Sequence, residues 1–548
     1  MGGVSLALAA YGAFTFNGAV TETYRIWLPS MSIPLQVKVD GLSVLVSTFV
    51  AFVSFLIVVY SVGYMQKEGG EGLSRYYSLI LLFIGGMLGL VMAGNLIQFY
   101  FFWEIVGVCS ALLIAFWSER ESARKAGMKA FVVTRFGDAA LLLAVILAWS
   151  IFGTTSFDSI LQPAQLAAHS GSLFLLGLLL LIGAMGKSAQ VPLHVWLPDA
   201  MEGPTTVSAL IHAATMVNAG VFLMVRMLPL FEAAPSALLS IVLAIGLLSA
   251  LVGGVCAFAS EDLKRVLAYS TISQLGIMFA AIGIGSPQSG IAAAYQMVSQ
   301  GLFKALAFLA AGCVITAVGT RDIEQMGGLR HKMKYTYIGF LLAMLAMSGF
   351  PPLIGFWSKD AILSLASSSG ILPVAALLIV FLFTSLYSFR VLLKVFHGPP
   401  RGQTEASESP LVMVGPVLAL SASVVIAWAI LYPQTLYSFS SLGLPDAATI
   451  SASLGVLAIG LAVTYAAFSR YTDRTAKLMV SSNGLRSVRS FLLEGLGFDR
   501  LYNAVYWKGL VSLARTASRI QTGLLRSNVA LVLLTMAAVF LLFATGVL

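Results

Sequence analysis

The sequence predicts an all-α polytopic membrane protein with about fifteen transmembrane helices. Three observations carry that expectation. Hydrophobic residues make up 59% of the 548 and charged residues only 10%, with a mean hydropathy of +0.92, a balance foreign to soluble domains. Apolar runs approach or exceed the roughly 20 residues that span a bilayer, and they recur along the whole chain. Basic residues gather in alternate loops, as the positive-inside rule requires. The short alternating strands of a membrane β-barrel are not evident.

Hydropathy and breaker residues place the spans at 3–20, 41–65, 76–96, 97–117, 129–152, 171–200, 205–230, 235–259, 264–284, 288–318, 335–366, 371–396, 410–432, 448–468 and 528–548. One set of loops holds Lys67, Arg75, Arg120, Arg124, Lys125, Lys264, Arg265, Arg321, Arg330, Lys332, Lys334, Arg401, Arg470, Arg474 and Lys477. The opposite loops hold little beyond Arg25, Lys38 and Arg226. The basic side is expected to be cytoplasmic, in the plasma membrane of a prokaryote. A missed span would scramble this alternation. Between the last two spans, 485–527 mixes apolar residues at helical spacing with Arg486, Arg489, Arg500, Lys508, Arg515, Arg519 and Arg526. That pattern predicts an amphipathic lateral helix on the membrane surface, either a lipid anchor or a strut to a neighbouring subunit.

Two spans are interrupted. In LFLLGLLLLIGAMGKSAQVPLHVWLPDAME, from Leu173 to Glu202, the run carries Lys187 and is broken at Pro192 and near Pro198. In MLAMSGFPPLIGFWSKDAIL, Lys359 lies beside a second break. Backbone groups freed at a break must face protein or a watery cavity. Each break falls in the fourth helix of a set of five, and a unit with an odd number of spans re-enters the membrane upside down. The chain is therefore read as N-terminal spans (1–75), a first five-helix repeat (76–231), an inverted second repeat (232–398), additional spans (399–484), the lateral helix (485–527) and a final span (528–548). Lys187 and Lys359 are expected to be near-symmetric equivalents.

Charges inside spans are costly and point to ion pathways. Glu104 lies well inside IQFYFFWEIVGVCSALLIAFW. A buried carboxylate stays ionised only with a cation close by, and Lys187 in the same unit is the expected partner. Lys304 is too far from either end of its span to snorkel and suits a relay toward Lys359. His212 either titrates in that relay or is a satisfied core histidine. Arg135 and Asp138, at i and i+3, share a helix face and suit a structural pair. Asp360 follows Lys359 and is expected either to draw the proton outward or to stabilise the break. Asp262 and Lys264 read as helix-start and topology signals.

Other classes of function find no support. The formal charge of +9 belongs to loops on one membrane face and implies no nucleic-acid partner. Cys109, Cys256 and Cys313 have neither metal spacing nor an obvious pairing. No cleavable signal peptide is evident. There is no nucleotide loop, Walker motif or cysteine cluster for iron–sulfur, so no cofactor is expected on this chain. Movement of an ion then depends on a gradient or on a driving partner.

Five motifs, WEIVGVCSALLIAFW, KAFVVTRFGDAALLL, GKSAQVPLHVWLPDAMEGPTTVSALIHAATMV, EDLKRVLAYSTISQLGIM and GFPPLIGFWSKDAIL, carry a resemblance over nearly the whole chain. They resemble the antiporter-like subunit L, the mitochondrial subunit 5 type, of respiratory complex I, the NADH-quinone oxidoreductase family. The resemblance implies a translocase: a proton-pumping, non-redox subunit of a complex I-like quinone oxidoreductase of the respiratory chain. Partner subunits in that membrane assembly would hold FMN, iron–sulfur clusters and quinone. It assigns proton transfer to Glu104 and Lys187 in the first half-channel, His212 and Lys304 in the centre, and Lys359 at the end. Gln296 and Gln300 stand where members of that family often carry histidines, so a relay there passes through water or differs. Relative to the family, the chain also looks short by one N-terminal span, and its lateral helix looks shorter. Alternatives that stay open are a multisubunit Na⁺/H⁺ antiporter, an energy-converting hydrogenase and an inorganic-carbon uptake complex.

Overall fold

The computed structural model describes residues 19–28, 33–401, 406–431, 442, 445–468, 491, 497–502, 504, 509 and 511–520. The chain divides into two compact units, Met1–Arg486 and Ser487–Leu548.

The first unit contains an antiparallel hairpin, β1 (Val20–Leu28) and β2 (Ile33–Val39), which the hydropathy reading did not foresee. Its signal was the alternation of β-branched residues with polar ones, as in Val37-Lys38-Val39. Val20 of the expected span 3–20 starts β1, and residues 3–18 lie outside the described residues. Polar pairs anchor the hairpin: Lys38 pairs with Asp158, and Thr21 Oγ1 donates to Asp158 Oδ2 at 2.8 Å.

Helix α1 (Gly41–Lys67) starts at a capping box, in which Ser43 N donates to Asp40 Oδ1 at 2.9 Å and Asp40 N donates to Ser43 Oγ at 2.7 Å. A first set follows: α2 (Leu73–Val91), α3 (Leu96–Ile114), α4 (Glu121–Phe152), α5 (Ser170–Lys187) with its short continuation Trp196–Asp199, and the pair α6 (Thr205–Ala213) and α7 (Met216–Arg226). The split between α6 and α7 is a further interruption that no proline announces. The second set comprises α8 (Ser236–Ala259), α9 (Leu263–Gly283), α10 (Ser289–Val318), the broken pair α11 (Lys334–Ser348) and α12 (Ile354–Ser367), and α13 (Ile371–Phe396). Helices α14 (Leu411–Leu431) and α15 (Ala447–Phe468) complete the unit.

Among the described residues, 12 helical spans are long and apolar enough to cross a membrane, with Thr205–Arg226 counted as one. The halves α11 and α12, of 15 and 14 residues, form a broken segment where one was expected. The expected final span, 528–548, lies outside the described residues.

Helices α6, α7, α9 and α10 form a buried centre, while α4, α13 and α15 face outward with about half or less of their spans covered. Glycines let the centre close. A Cβ on Gly246 would lie 2.3 Å from Ala280 N, and one on Gly283 would lie 2.2 Å from Leu243 N, so α8 and α9 touch backbone to backbone.

In the second unit, α16 (Val511–Ile520) follows a short helix, Phe498–Tyr502. Ser512, Arg515, Thr516 and Ser518 are exposed on it, which suits an amphipathic helix. Most of the remaining expected lateral helix, 485–527, lies outside the described residues.

Candidate functional site

The first group of charges is assembled by small residues. A Cβ on Gly137 would come within 3.0 Å of Gly186 Cα, so α4 and α5 are in near contact. The next residue on each helix is charged. Lys187 Nζ consequently lies 3.3 Å from Asp138 Oδ2, with both side chains fully buried. Helix α3 closes the group: Trp103 Nε1 donates to Asp138 Oδ1 at 2.6 Å, and the Trp103 ring centre lies 5.5 Å from Lys187 Nζ. One turn on, Gly107 leaves room for the ammonium, since a Cβ there would sit 2.3 Å from Nζ.

Glu104 does not pair with Lys187, contrary to expectation. Trp103 faces the lysine, and one residue further the helix has turned by about 100°. Glu104 therefore accepts from Arg135 instead. Arg135 also approaches Asp138 at 3.8 Å, so the expected i, i+3 pair exists as the weaker half of a network running Glu104, Arg135, Asp138, Lys187. Two carboxylates balance two cations. Asp138 and Lys187 stand in the buried interior, where removing either member leaves a charge without compensation.

Beyond Lys187 the backbone breaks. Ala189 adopts φ +47 and the Val191–Pro192 bond is cis. The freed groups find partners: Val191 N donates to Ser249 Oγ at 3.0 Å, and Trp196 Nε1 donates to Gly186 O at 3.1 Å. Lys264 is not a loop marker. It is buried, and its Nζ donates to Met201 O and Gly203 O, each at 2.7 Å, holding the end of the broken segment. Asp262 caps α9 as expected, accepting from Lys264 N at 2.8 Å and Arg265 N at 3.1 Å.

The centre is built on α10, where Gln296, Gln300 and Lys304 recur every four residues and share a face. Gln300 Nε2 donates to His212 O at 2.8 Å. The His212 ring packs 4.7 Å from Phe308, and neither ring nitrogen finds a hydrogen-bond partner among the described residues. Lys304 Nζ donates to Ser270 Oγ and, at 3.2 Å, to Leu267 O. Gln296 Nε2 donates to Gln274 Oε1 at 2.9 Å, and Gln296 Oε1 accepts from Ser358 Oγ at 2.6 Å.

At the second break Gly349 has φ +86, where a side chain would be strained, and Pro351–Pro352 is cis. Lys359 lies after this break, in the second half-helix, whereas Lys187 ends the first half-helix of its own break. The expected symmetry therefore does not hold by position along the chain. The Lys359 side chain nevertheless returns to Met347 O at the end of α11, and its Nζ sits 5.1 Å from the Phe381 ring centre. Asp360 turns away and accepts from Ser453 Oγ of α15 at 3.1 Å. Among the described residues, no carboxylate lies within ion-pair distance of Lys304 or Lys359, and no group of three or more His, Cys, Asp or Glu side chains could hold a metal.

Trp103, Ser270, Gln274, Ser358 and Ser453 escaped the sequence reading. The signal for several was polar residues three or four apart inside apolar helices, such as Ser270 with Gln274. For Trp103 it was the Trp103–Gly107 spacing opposite a lysine.

The chain is similar to known membrane proteins over most of its length. A family model described as "NADH:quinone oxidoreductase/Mrp antiporter, TM" matches residues 93–384, and one described as "NADH-Ubiquinone oxidoreductase (complex I), chain 5 N-terminus" matches 27–77. The NADH-quinone oxidoreductase subunit L of Rickettsia conorii is 45% identical over 70% of this chain, which spans only 59% of that relative. The subunit L of Mycobacterium tuberculosis is 39% identical over 84% of this chain and 77% of its own length. A chain in the structure of the Mrp complex from Dietzia sp. DQ12-45-1b superposes with a TM-score of 0.80 at 26% identity, covering 100% of this chain and 60% of that one. The membrane-bound sulfane sulfur reductase, an archaeal respiratory membrane complex, shares the fold alone, with a TM-score of 0.81 at 23% identity over 98% of this chain and 94% of that one. The buried charges thus sit on a shared scaffold, and the chain belongs to the NADH:quinone oxidoreductase/Mrp antiporter family of multi-pass membrane proteins.

Proposed function

We propose that the chain is a proton-translocating, non-redox membrane subunit of a complex I-like quinone oxidoreductase. One observation carries this reading: a succession of charged and polar side chains, Glu104, Arg135, Asp138, Lys187, His212, Gln300, Lys304, Gln296 and Lys359, inside helices that are otherwise apolar, with all but Glu104 and Arg135 buried. Charged groups in such positions are expensive and mark ion pathways. Several polar atoms along it find no hydrogen-bond partner among the described residues, including Glu104 Oε1, both His212 ring nitrogens and Gln300 Oε1. Buried polar atoms of this kind are ordinarily satisfied by water, which also carries protons.

In this reading each five-helix repeat, 76–231 and 232–398, forms one half-channel. Asp138 stabilises the charged form of Lys187 while Glu104 and Arg135 balance each other. Any change in the spacing of α4 and α5 alters how well Lys187 holds its proton. The freed proton passes by His212 to Lys304 and then to Lys359. Asp360 and Ser453 stand on its way out. The basic loops face the cytoplasm. FMN, iron–sulfur clusters and quinone belong to partner subunits, whose redox chemistry supplies the energy.

The relatives named NADH-quinone oxidoreductase subunit L support this choice of complex. The match of the whole chain to the Mrp complex favours a second reading, a cation/proton antiporter subunit. Purification of the native complex in mild detergent, with mass spectrometry of its partners, separates the two. Iron–sulfur and quinone-site subunits are expected to co-purify. Recovery of small membrane subunits alone would overturn the redox-driven reading in favour of the antiporter.

A further inference from the structure

A cluster of unsatisfied polar atoms lies beside the Lys304 ammonium, at the junction of α9 and α13. Tyr387 is fully buried, and its hydroxyl faces Ser270, Gln274 and Thr384. Among the described residues, that hydroxyl, Gln274 Nε2 and Ser388 Oγ of the next residue find no hydrogen-bond partner, although all three residues are completely buried. Each such atom is destabilising unless water satisfies it. Two of them side by side, the Tyr387 hydroxyl and the Gln274 amide, are better explained as a hydrated node than as separate defects. Ser270 ties the node to Lys304, since it is the side-chain acceptor of that ammonium. Gln274 ties it to the far side, through Gln296 to Ser358, the residue before Lys359.

The amides and hydroxyls of this cluster have different capacities. An amide accepts at oxygen and donates at nitrogen, and it does not reset by rotation about one bond. A hydroxyl both accepts and donates at the same oxygen. The string Gln274, Gln296, Ser358 therefore positions α12 against α9 and α10 but does not carry a proton through its amides. The hydroxyls of Ser270 and Tyr387 have the required chemistry.

We propose that Tyr387 is a proton-relay residue, passing protons from Lys304 through a hydrated node with Ser270 and Thr384 toward Lys359. The inference rests on the proton-translocating reading above. In the step, the Lys304 ammonium loses one proton to a node oxygen and becomes a neutral amine. Each hydroxyl oxygen accepts one proton and releases its own. The neutral amine of Lys359 gains one, so a single proton moves with no redox change.

The test uses the whole complex in inverted membrane vesicles, driven by the donor that its co-purified partners oxidise, with proton uptake and donor oxidation recorded together. Tyr387→Phe keeps the ring and removes only the hydroxyl. It is expected to lower protons moved per electron by about tenfold or more, the scale of a lost proton-transfer group. Adding Gln296→His to Tyr387→Phe puts a titratable ring beside Gln274 and Ser358, and it is expected to restore uptake to within about threefold of the parent. Parental uptake in Tyr387→Phe, alongside lost uptake in Lys304→Ala, would overturn the inference and leave the proton-translocating reading intact. A double variant as impaired as Tyr387→Phe alone would assign Tyr387 a structural role and also overturn it. Parental uptake in both Tyr387→Phe and Lys304→Ala would sink the reading itself.

Discussion

Lys187 and Lys359 both stand at breaks inside apolar helices, yet they are held in different ways. Lys187 sits 3.3 Å from a carboxylate with a tryptophan ring beside it. Among the described residues, Lys359 meets a backbone carbonyl and a phenylalanine ring, and Lys304 a carbonyl and a hydroxyl. The first site is a balanced ionic network, while the other two cations bear most of their own desolvation. In the proposed mechanism the first lysine changes state when its ion pair is stretched, and the later lysines need no such trigger. In that mechanism the two halves have distinct tasks, control in the first and conduction in the second.

Removing the counter-ion tests that contrast with the largest expected effect. Asp138→Ala leaves Lys187 buried without its carboxylate and is expected to cost about 3–5 kcal/mol. Asp360→Ala removes one bond from Ser453 and is expected to cost about 1 kcal/mol. Thermal unfolding of the two purified complexes measures the gap, and equal losses would erase the distinction between the sites.

Gly107→Ala is expected to cost about 1–3 kcal/mol through overpacking and to displace Lys187 from Asp138. The added Cβ would stand 2.3 Å from Nζ. Proton uptake should fall even though no charge has been removed. Ser358→Ala leaves Gln296 Oε1 without its donor, for about 1 kcal/mol. It should loosen α12 without touching the first site, which hydrogen exchange resolved by segment can report.

The smallest effect belongs to an exposed pair of the same chemistry. Burial tends to raise the Asp158 pKa, but hydrogen bonds from Lys38 and Thr21 outweigh it and hold the carboxyl below its usual value. A carboxylate depressed in the folded state adds stability above its unfolded pKa of about 3.9, and that stability is lost as pH falls through the lower folded value. Asp158 is half-exposed, so solvent screening limits the gain to a few tenths of a kcal/mol. Exchange protection of β1 and β2 should therefore decline only below about pH 4. A loss near neutrality would mean that another group anchors the hairpin.

The spans between residues 41 and 468 and both breaks were legible because membrane helices must hide every backbone group, which makes apolar length a direct report of structure. The hairpin was not, because Val37-Lys38-Val39 alternates over too few residues to stand out beside long apolar runs. The charged residues were legible as outliers, and so was the approach of Arg135 to Asp138, but the partner of Lys187 was not. Which carboxylate meets Lys187 depends on the rotation of α3 and the approach of α4 to α5. In retrospect, Gly137-Asp138 and Gly186-Lys187 recorded that approach, a small residue beside each charge. Tyr387 and Gln274 were hidden for another reason: neutral polar residues are common in helices, and only their convergence on Lys304 sets these two apart.

The most direct test of the central claim compares donor-driven proton uptake and donor oxidation in vesicles holding the complex with Lys304→Ala. If this chain moves protons through its buried lysines, uptake falls by about tenfold or more while donor oxidation continues. Parental uptake without the Lys304 amine would contradict it.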